Sequence, residues 1–156
     1  MSQWKVKTEI KESNIEGAGS GRFFCSDYPK GTIVRKQNLS NPNNILKFSN
    51  EKSLKFEDLN TLVHFGHSKP IYDKQNRHKN VVFLNVPFMN TNHSKFPNIK
   101  YHFTKHNKYT ILIKNVKKGD EMLQDYASFS QVQWFENYLN KSNVSSCREL
   151  GVSLNM

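Results

Sequence analysis

A seven-residue polar segment at residues 92–98, Asn-His-Ser-Lys-Phe-Pro-Asn, constrains this chain more than any other stretch. It follows an apolar run and precedes a segment in which apolar and polar residues alternate. Pro97 has a fixed φ and no N–H, while asparagines accept turn conformations and bond their own backbone. The segment is therefore predicted to be a shaped turn between strands, suited to ligand recognition. Taken alone, it fits an ordinary Asn/Ser/Pro turn equally well.

The size and cysteine content predict one folded domain in a reducing setting. A chain of 156 residues with 12% aromatic residues can bury its own core. Cys25 and Cys147 are the only cysteines, too few for a disulfide scaffold or a Cys-rich zinc cluster. No signal-peptide core or membrane-length apolar run is present in the sequence. We expect a soluble intracellular protein, in the nucleus or cytoplasm, without membrane contact.

The chain is strongly basic, with 23 Lys and Arg against 13 Asp and Glu and a net charge of +10. Such a charge suits a nucleic acid, a nucleosome or an acidic partner. However, the lysines are scattered and form no dense basic arm, so a merely solvated surface explains the composition equally well.

Apolar residues alternate with polar ones in several short segments, which indicates a mostly β domain. Strands are predicted at 5–12 (with Val6, Thr8 and Ile10 on one face), 22–25, 32–34, 81–84 and 122–126, and a hairpin at 101–113. The Asn- and Ser-rich residues 38–50 and the polar residues 68–80 are predicted to be loops.

Helical spacing occurs in two places. A short helix is predicted over residues 56–63, with Gly66 ending it. A C-terminal helix is predicted from Ser130, with its apolar face and flank formed by Val132, Phe135, Leu139, Trp134 and Tyr138. Ser146 is a candidate cap for a final short turn that Gly151 ends.

Three motifs, in this order, resemble the SET-domain protein-lysine methyltransferases. They are Gly-Ala-Gly-Ser-Gly at 17–21, the segment 92–98, and Lys-Gly-Asp-Glu at 118–121 running into Asp125-Tyr126. The resemblance covers about the first 130 residues and is closest to the minimal SET proteins of viral and microbial type. Met89-Asn90-Thr91 stand where the family has Arg and two apolar residues.

The resemblance implies a SET-type fold of several small curved β-sheets with a C-terminal pseudoknot and a C-terminal helix. It divides the chain into a SET domain at 1–129, with an insertion at about 38–80, and a post-SET-like helical segment at 130–156.

The resemblance also implies an activity, S-adenosylmethionine-dependent methylation of lysine in a protein substrate, a histone tail or another protein. Cofactor-binding residues would be Gly19, Ser20 and Gly21 of the glycine loop, together with Asn92 and His93. Trp134 or Phe135 would stack on the adenine, although core packing is the expected role for one of the two.

Two tyrosines match catalytic positions of the family. Tyr126 would orient the substrate amine at the floor of the lysine channel, and its alternative is an ordinary strand aromatic. Tyr101 would limit the number of methyl groups added, and its alternative is packing beside Phe103 on the buried face of the hairpin. The spacing of the histidines and cysteines fits no metal site.

Two rival functions stay open at this point. The first is a catalytically silent SET-fold binding module, whose basic surface holds a nucleic acid or a protein; the polar Met89-Asn90-Thr91 favours it. The second is a basic β-rich nucleic-acid binder whose motif matches are accidental.

Overall fold

The structure is a computed structural model that describes residues 3–41, 43–48, 50–54, 66–72, 78–85, 89–129, 132–145 and 147–156. The strands are β1 (Thr8–Glu12), β2 (Ser20–Phe24), β3 (Ile33–Asn38), β4 (Ile45–Phe48), β5 (Gly66–Tyr72), β6 (His78–Asn85), β7 (Asn92–His93), β8 (Ile99–Phe103), β9 (Asn107–Leu112) and β10 (Leu123–Gln124). The helices are α1 (Gln133–Lys141) and α2 (Cys147–Asn155), with 3-10 turns at Glu51–Ser53 and Tyr126–Ser128.

Backbone contacts divide the chain into two compact units. The first unit comprises Met1–Asn38 and Met89–Asp125, and the second comprises Leu39–Phe88 and Tyr126–Met156. The division into residues 1–129 and 130–156 stays a prediction.

The first unit contains a β1–β2 hairpin, a three-stranded antiparallel sheet in the order β3-β9-β8, and a parallel pair formed by β7 and β10. The side chains of its core are Val6, Phe24, Val34, Met89, Ile99, Leu112, Val116 and Met122. The β8–β9 hairpin confirms the predicted one. The first strand is shorter than predicted, since it begins at Thr8. Of the face predicted to be apolar, Val6 is buried in the core, whereas Ile10 is 51% exposed.

The second unit contains the antiparallel sheet β4-β6-β5 and both helices. Val82 of β6 packs with Val132, Phe135 and Leu139, which confirms the apolar face predicted for α1. α1 begins at Gln133.

Two predicted loops contain strands. β4 lies within residues 38–50, and β5 with the start of β6 occupies most of residues 68–80. Pairing of both strands with β6 stabilises their backbones despite the polar sequence, and Pro70 is tolerated because β5 is an edge strand. Gly66 begins β5 rather than capping a helix, and the predicted helix at 56–63 lies outside the described residues.

The C-terminal turn was expected to end at Gly151, but α2 continues through it to Asn155. A Cβ at residue 151 would lie 2.7 Å from the Cβ of Tyr126, so the glycine permits close packing of α2 on the Tyr126–Ser128 turn. Gly151 is thus a packing residue. Within the described residues, no helix has the length and apolar character needed to cross a membrane.

Candidate functional site

The glycine loop connects β1 to β2 and is closed by its own backbone. The Ser13 N–H donates to the Gly19 carbonyl over 2.8 Å, and the Ala18 N–H donates to the Ile15 carbonyl over 3.1 Å. Gly17 and Gly19 have φ values of 76° and 73°, which glycine adopts without steric cost. The loop borders an open pocket of about 650 Å³, lined in part by Gly19 and Ser20.

The Glu121 carboxylate anchors this loop from a position 107 residues away in sequence. Oε1 accepts the Ser13 hydroxyl at 2.7 Å, and Oε2 accepts the Asn14 N–H at 2.9 Å. Oε1 also accepts the Asn92 side-chain amide at 2.9 Å. Glu121 is 6% exposed, so these bonds satisfy a carboxylate that would otherwise be costly to bury.

Asn92 on β7 and Gly21 on β2 both lie close to the Glu121 carboxylate. The Asn92 amide donates a second bond to the Ser20 carbonyl at 3.0 Å, which ties β7 to the start of β2. A Cβ at Gly21 would overlap the Glu121 carboxylate and lie 3.2 Å from Asn92 Nδ2. The glycine is therefore needed for packing at this position.

The segment 92–98 is held against β10 by backbone and side-chain bonds. The register of the parallel pair places Leu123 opposite Asn92, and Gln124 opposite His93. Asn98 Nδ2 donates to the Glu121 carbonyl at 2.7 Å, and Asn98 Oδ1 accepts the Leu123 N–H at 2.9 Å. Two segments distant in sequence are thus paired side by side, and the expected pseudoknot stays a prediction.

His93 lies beside the segment that leads to Tyr126. Its Nδ1 is 3.8 Å from Asp125 Oδ1, which is longer than a hydrogen bond. His93 and Asp125 are both half-buried. The role of His93 in cofactor binding stays a prediction.

The unusual segment Met89-Asn90-Thr91, which leads into β7, is well packed. Met89 and Thr91 are each 5% exposed, and Asn90 has a φ of 53°, which asparagine accepts better than most residues. The Met89 carbonyl accepts Arg22 Nε at 2.7 Å, and Arg35 Nη1 donates to the Met89 sulfur at 2.7 Å. Met89 and Thr91 are therefore buried in the first unit, and Asn90 is half-buried.

Tyr101 lies on the buried face of the β3-β9-β8 sheet. The centroid of its ring lies 3.8 Å from Lys108 Nζ and 6.5 Å from the centroid of the Phe103 ring. The side chain is half-buried and packs against the core of the unit. These contacts agree with the packing alternative, and the role of Tyr101 in counting methyl groups stays a prediction.

Tyr126 belongs to the second unit, where it begins the 3-10 turn. The strand predicted to include it ends at Gln124, because the chain turns after the short pairing with β7. Its ring centroid is 5.4 Å from that of Phe129, and the residue is half-buried. Tyr126 is therefore not a strand aromatic; its ring packs beside Phe129 instead, and its catalytic role stays a prediction.

The two aromatic candidates for adenine stacking are separated by burial. Phe135 is 3% exposed and belongs to the core of the second unit. Trp134 is half-buried, with its ring 5.8 Å from that of Phe135 in an edge-on arrangement. Trp134 is thus the remaining candidate for stacking. Among the described residues, no group of three His, Cys, Asp or Glu side chains is arranged to hold a metal ion.

The site residues that sequence reasoning missed are Glu121 and Asn98. Both stand in the recognised motifs, but neither was given a role. Their position inside these motifs was the only available signal, since their bonding partners lie 23 or more residues away in the chain.

Solved structures resemble the fold of this chain, although their sequences differ widely from it. No family model and no curated protein matches the chain. The Chaetomium thermophilum polycomb repressive complex 2 bound to S-adenosylmethionine aligns with a TM-score of 0.59 at 16% identity, over 88% of this chain and 17% of that one. Its fold is that of a SET domain.

Two smaller proteins share the SET fold. A proposed histone methyltransferase of Plasmodium falciparum aligns with a TM-score of 0.50 at 19% identity, over 76% of this chain and 91% of that one. CpSET8 of Cryptosporidium aligns with a TM-score of 0.53 at 17% identity, over 81% and 60%. The chain thus spans most of the first protein, three fifths of the second and about a sixth of the polycomb chain. Identities this low establish the fold alone.

Proposed function

We propose that this chain is a protein-lysine N-methyltransferase that uses S-adenosylmethionine. The observation that carries the proposal is the network in which Glu121 joins the glycine loop to Asn92 within a SET fold. The presence of S-adenosylmethionine in one of the similar structures supports this choice of cofactor.

The residues of the first unit fit such a cofactor. Apart from the adjoining residues of the chain, no atom lies within 4 Å of where a Cβ would stand on Gly17 or Gly19, so the loop is open on that side. Backbone groups of Gly19, Ser20 and Gly21, with Asn92 and His93, would hold the methionine part. Trp134, which belongs to the second unit, is the residue we propose for stacking on the adenine. When bound, S-adenosylmethionine supplies a methyl group made electrophilic by its sulfonium sulfur.

The protein's contribution to the chemistry would be alignment and exclusion of water. A lysine amine must lose its proton before it can act as a nucleophile, and desolvation favours the neutral amine. The Tyr126 hydroxyl would accept a hydrogen bond from this amine and orient its lone pair. Such positioning acts mainly in the transition state. A histone tail or another lysine-bearing protein would be the substrate.

The decisive experiment combines cofactor titration with turnover. Calorimetry should show binding of S-adenosylmethionine and of its demethylated product, and Asn92→Ala should abolish it, because Asn92 bonds both Ser20 and Glu121. Tyr126→Phe should bind the cofactor normally but methylate a lysine peptide pool about 100- to 1000-fold more slowly, as expected for one lost transition-state hydroxyl.

Tyr138→Phe is the matched control, since it removes a hydroxyl from another half-buried tyrosine of the second unit. Its turnover should match that of the wild type. Cofactor binding without any turnover in the wild type would favour the silent binding module. Absence of binding would contradict both the enzyme and the assigned cofactor residues.

A further inference from the structure

The outward face of the β3-β9-β8 sheet carries an ordered set of basic and aromatic side chains. The register places Lys36 opposite Tyr109, and Tyr109 opposite His102, so these three residues form one row across the sheet. Lys36 and His102 are exposed, and Tyr109 is half-buried. The face is therefore accessible in the first unit.

A second row lies next to the first. Ile33 pairs with Ile111, which pairs with Lys100. Ile33 is 42% exposed, and Lys100 is also exposed. Together the two rows place Lys36 and Lys100 on the two outer strands, and Tyr109 and Ile111 on the central strand β9.

The charged side chains of these three strands are all basic. The three strands contain no Asp or Glu. Arg35, on the opposite face of β3, is fully buried, and burial lowers its pKa to about 10. Its guanidinium therefore keeps its charge at neutral pH and adds to the positive potential of the sheet.

The aromatic rings are arranged for stacking. Lys36 Nζ lies 5.6 Å from the centroid of the Tyr109 ring, and the His102 ring lies 6.3 Å from it, at an interplanar angle of 40°. Neighbouring rings on a sheet surface, flanked by lysines, are the pattern by which several sheet proteins hold unpaired bases.

We propose that this face binds single-stranded nucleic acid. Lys36 and Lys100 contact phosphates, and one base stacks on Tyr109 with a second on His102. Charge complementarity alone would also suit an acidic peptide. The rings of Tyr109 and His102 favour nucleic acid, because bases offer π-faces to stack on them whereas Asp and Glu side chains do not.

This binding site is separate from the residues proposed for methyl transfer. Tyr101 and Lys108 lie on the other face of the same sheet, and the glycine loop and Asn92 belong to other elements. The proposal consequently does not depend on catalytic activity.

The test measures fluorescence anisotropy of labelled RNA and DNA single strands of roughly 12 nucleotides, and of the corresponding duplex, with NaCl from about 50 to 200 mM. Tyr109→Leu should weaken single-strand binding about 10-fold, whereas Tyr109→Phe, which keeps the ring, should stay within about 2-fold of wild type. The double variant Lys36→Gln/Lys100→Gln should reduce the slope of log K against log salt by about 1.4, as expected for two lost phosphate contacts.

The matched control is Lys117→Gln/Lys118→Gln, which removes the same charge from two exposed lysines outside the three strands. Its affinity should fall much less than that of the Lys36/Lys100 pair. Equal losses in the two lysine pairs would overturn the proposal in favour of diffuse attraction.

Two further results would overturn the proposal. One is unchanged affinity in Tyr109→Leu, and the other is displacement of the single strand by polyglutamate as efficiently as by an unlabelled strand. Should Tyr109→Leu fail to fold, the comparison of the two lysine pairs decides the outcome.

Discussion

At the scale of single residues, the first unit buries several cationic groups. Arg35 and Lys108 have no exposed surface, and Arg22 is 7% exposed. The two guanidiniums lie over the Trp4 ring, at 4.1 Å for Arg22 and 4.8 Å for Arg35, and Gln3 Oε1 accepts Arg35 Nη2 at 2.6 Å. Aromatic faces and amide oxygens thus contribute to holding charges that apolar packing alone would not tolerate.

Lys108 makes stability depend on pH. Burial, followed by the charge of Arg35, lowers the pKa of its amine well below 10.5 in the folded protein. Between that lowered pKa and 10.5, the unfolded chain binds a proton that the folded protein does not, so the free energy of unfolding rises with pH. Lys108→Met removes the titrating group and should remove this slope.

We therefore expect Lys108→Met to be more stable than the wild type near neutral pH, by roughly 1 to 4 kcal/mol, the range seen when apolar residues replace buried ion pairs. The difference should shrink as the pH approaches 10.5. Urea unfolding at several pH values measures it. Lys100→Met, at an exposed position of β8, should show no such dependence, and destabilisation by Lys108→Met would mean that the contacts of its amine outweigh its desolvation.

At the scale of elements, one residue, Glu121, bonds three separate segments through its carboxylate and its backbone carbonyl. Glu121 bonds the start of the glycine loop and Asn92, and its carbonyl accepts Asn98 Nδ2. The β1–β2 hairpin, β7 and the segment around Asn98 are thus joined to Glu121 by short polar contacts, in addition to the apolar core of the unit. Each lost partner would leave a buried polar group unsatisfied.

Gly21→Ala tests how tightly these elements meet. The added Cβ would overlap the Glu121 carboxylate, so either β2 or Glu121 must move. We expect a loss of roughly 1 to 3 kcal/mol in the free energy of unfolding, typical of overpacking. Ser20→Ala, at the exposed neighbouring position, should change it by less than about 0.5 kcal/mol. Denaturant unfolding compares the two, and equal stabilities would show that this junction is loose.

At the scale of the whole molecule, the net charge of +10 opposes the compact state. Screening should relieve this repulsion, since the Debye length falls from about 10 Å at 0.1 M salt to about 3 Å at 1 M. We expect the free energy of unfolding to rise by roughly 1 kcal/mol over this range, the size of one or two surface charge contacts.

Urea unfolding in increasing NaCl measures this rise. The Lys117→Gln/Lys118→Gln variant, whose charge is +8 (10 minus 2), should show a smaller one. If the free energy of unfolding of that variant rose equally or more, the salt effect would come from stronger apolar burial rather than from charge screening.

The sequence by itself determined the local features of this protein. Strict alternation predicted the β8–β9 hairpin, the spacing of Phe135 and Leu139 predicted the buried face of α1, and the segment 92–98 with its two companion motifs indicated the SET fold. These signals are readable because turn chemistry and apolar periodicity act between residues close in the chain.

The tertiary structure alone decided which polar residues act together. Nothing local distinguishes Glu121 from Asp120, yet only Glu121 is buried against the glycine loop. Strands β4 and β5 form in polar sequence because β6 offers them backbone partners. The scattered lysines share one face of the sheet only because β3, β9 and β8 pair in a particular register. Strand pairing sets which side chains are neighbours, and that register depends on contacts between residues far apart in sequence.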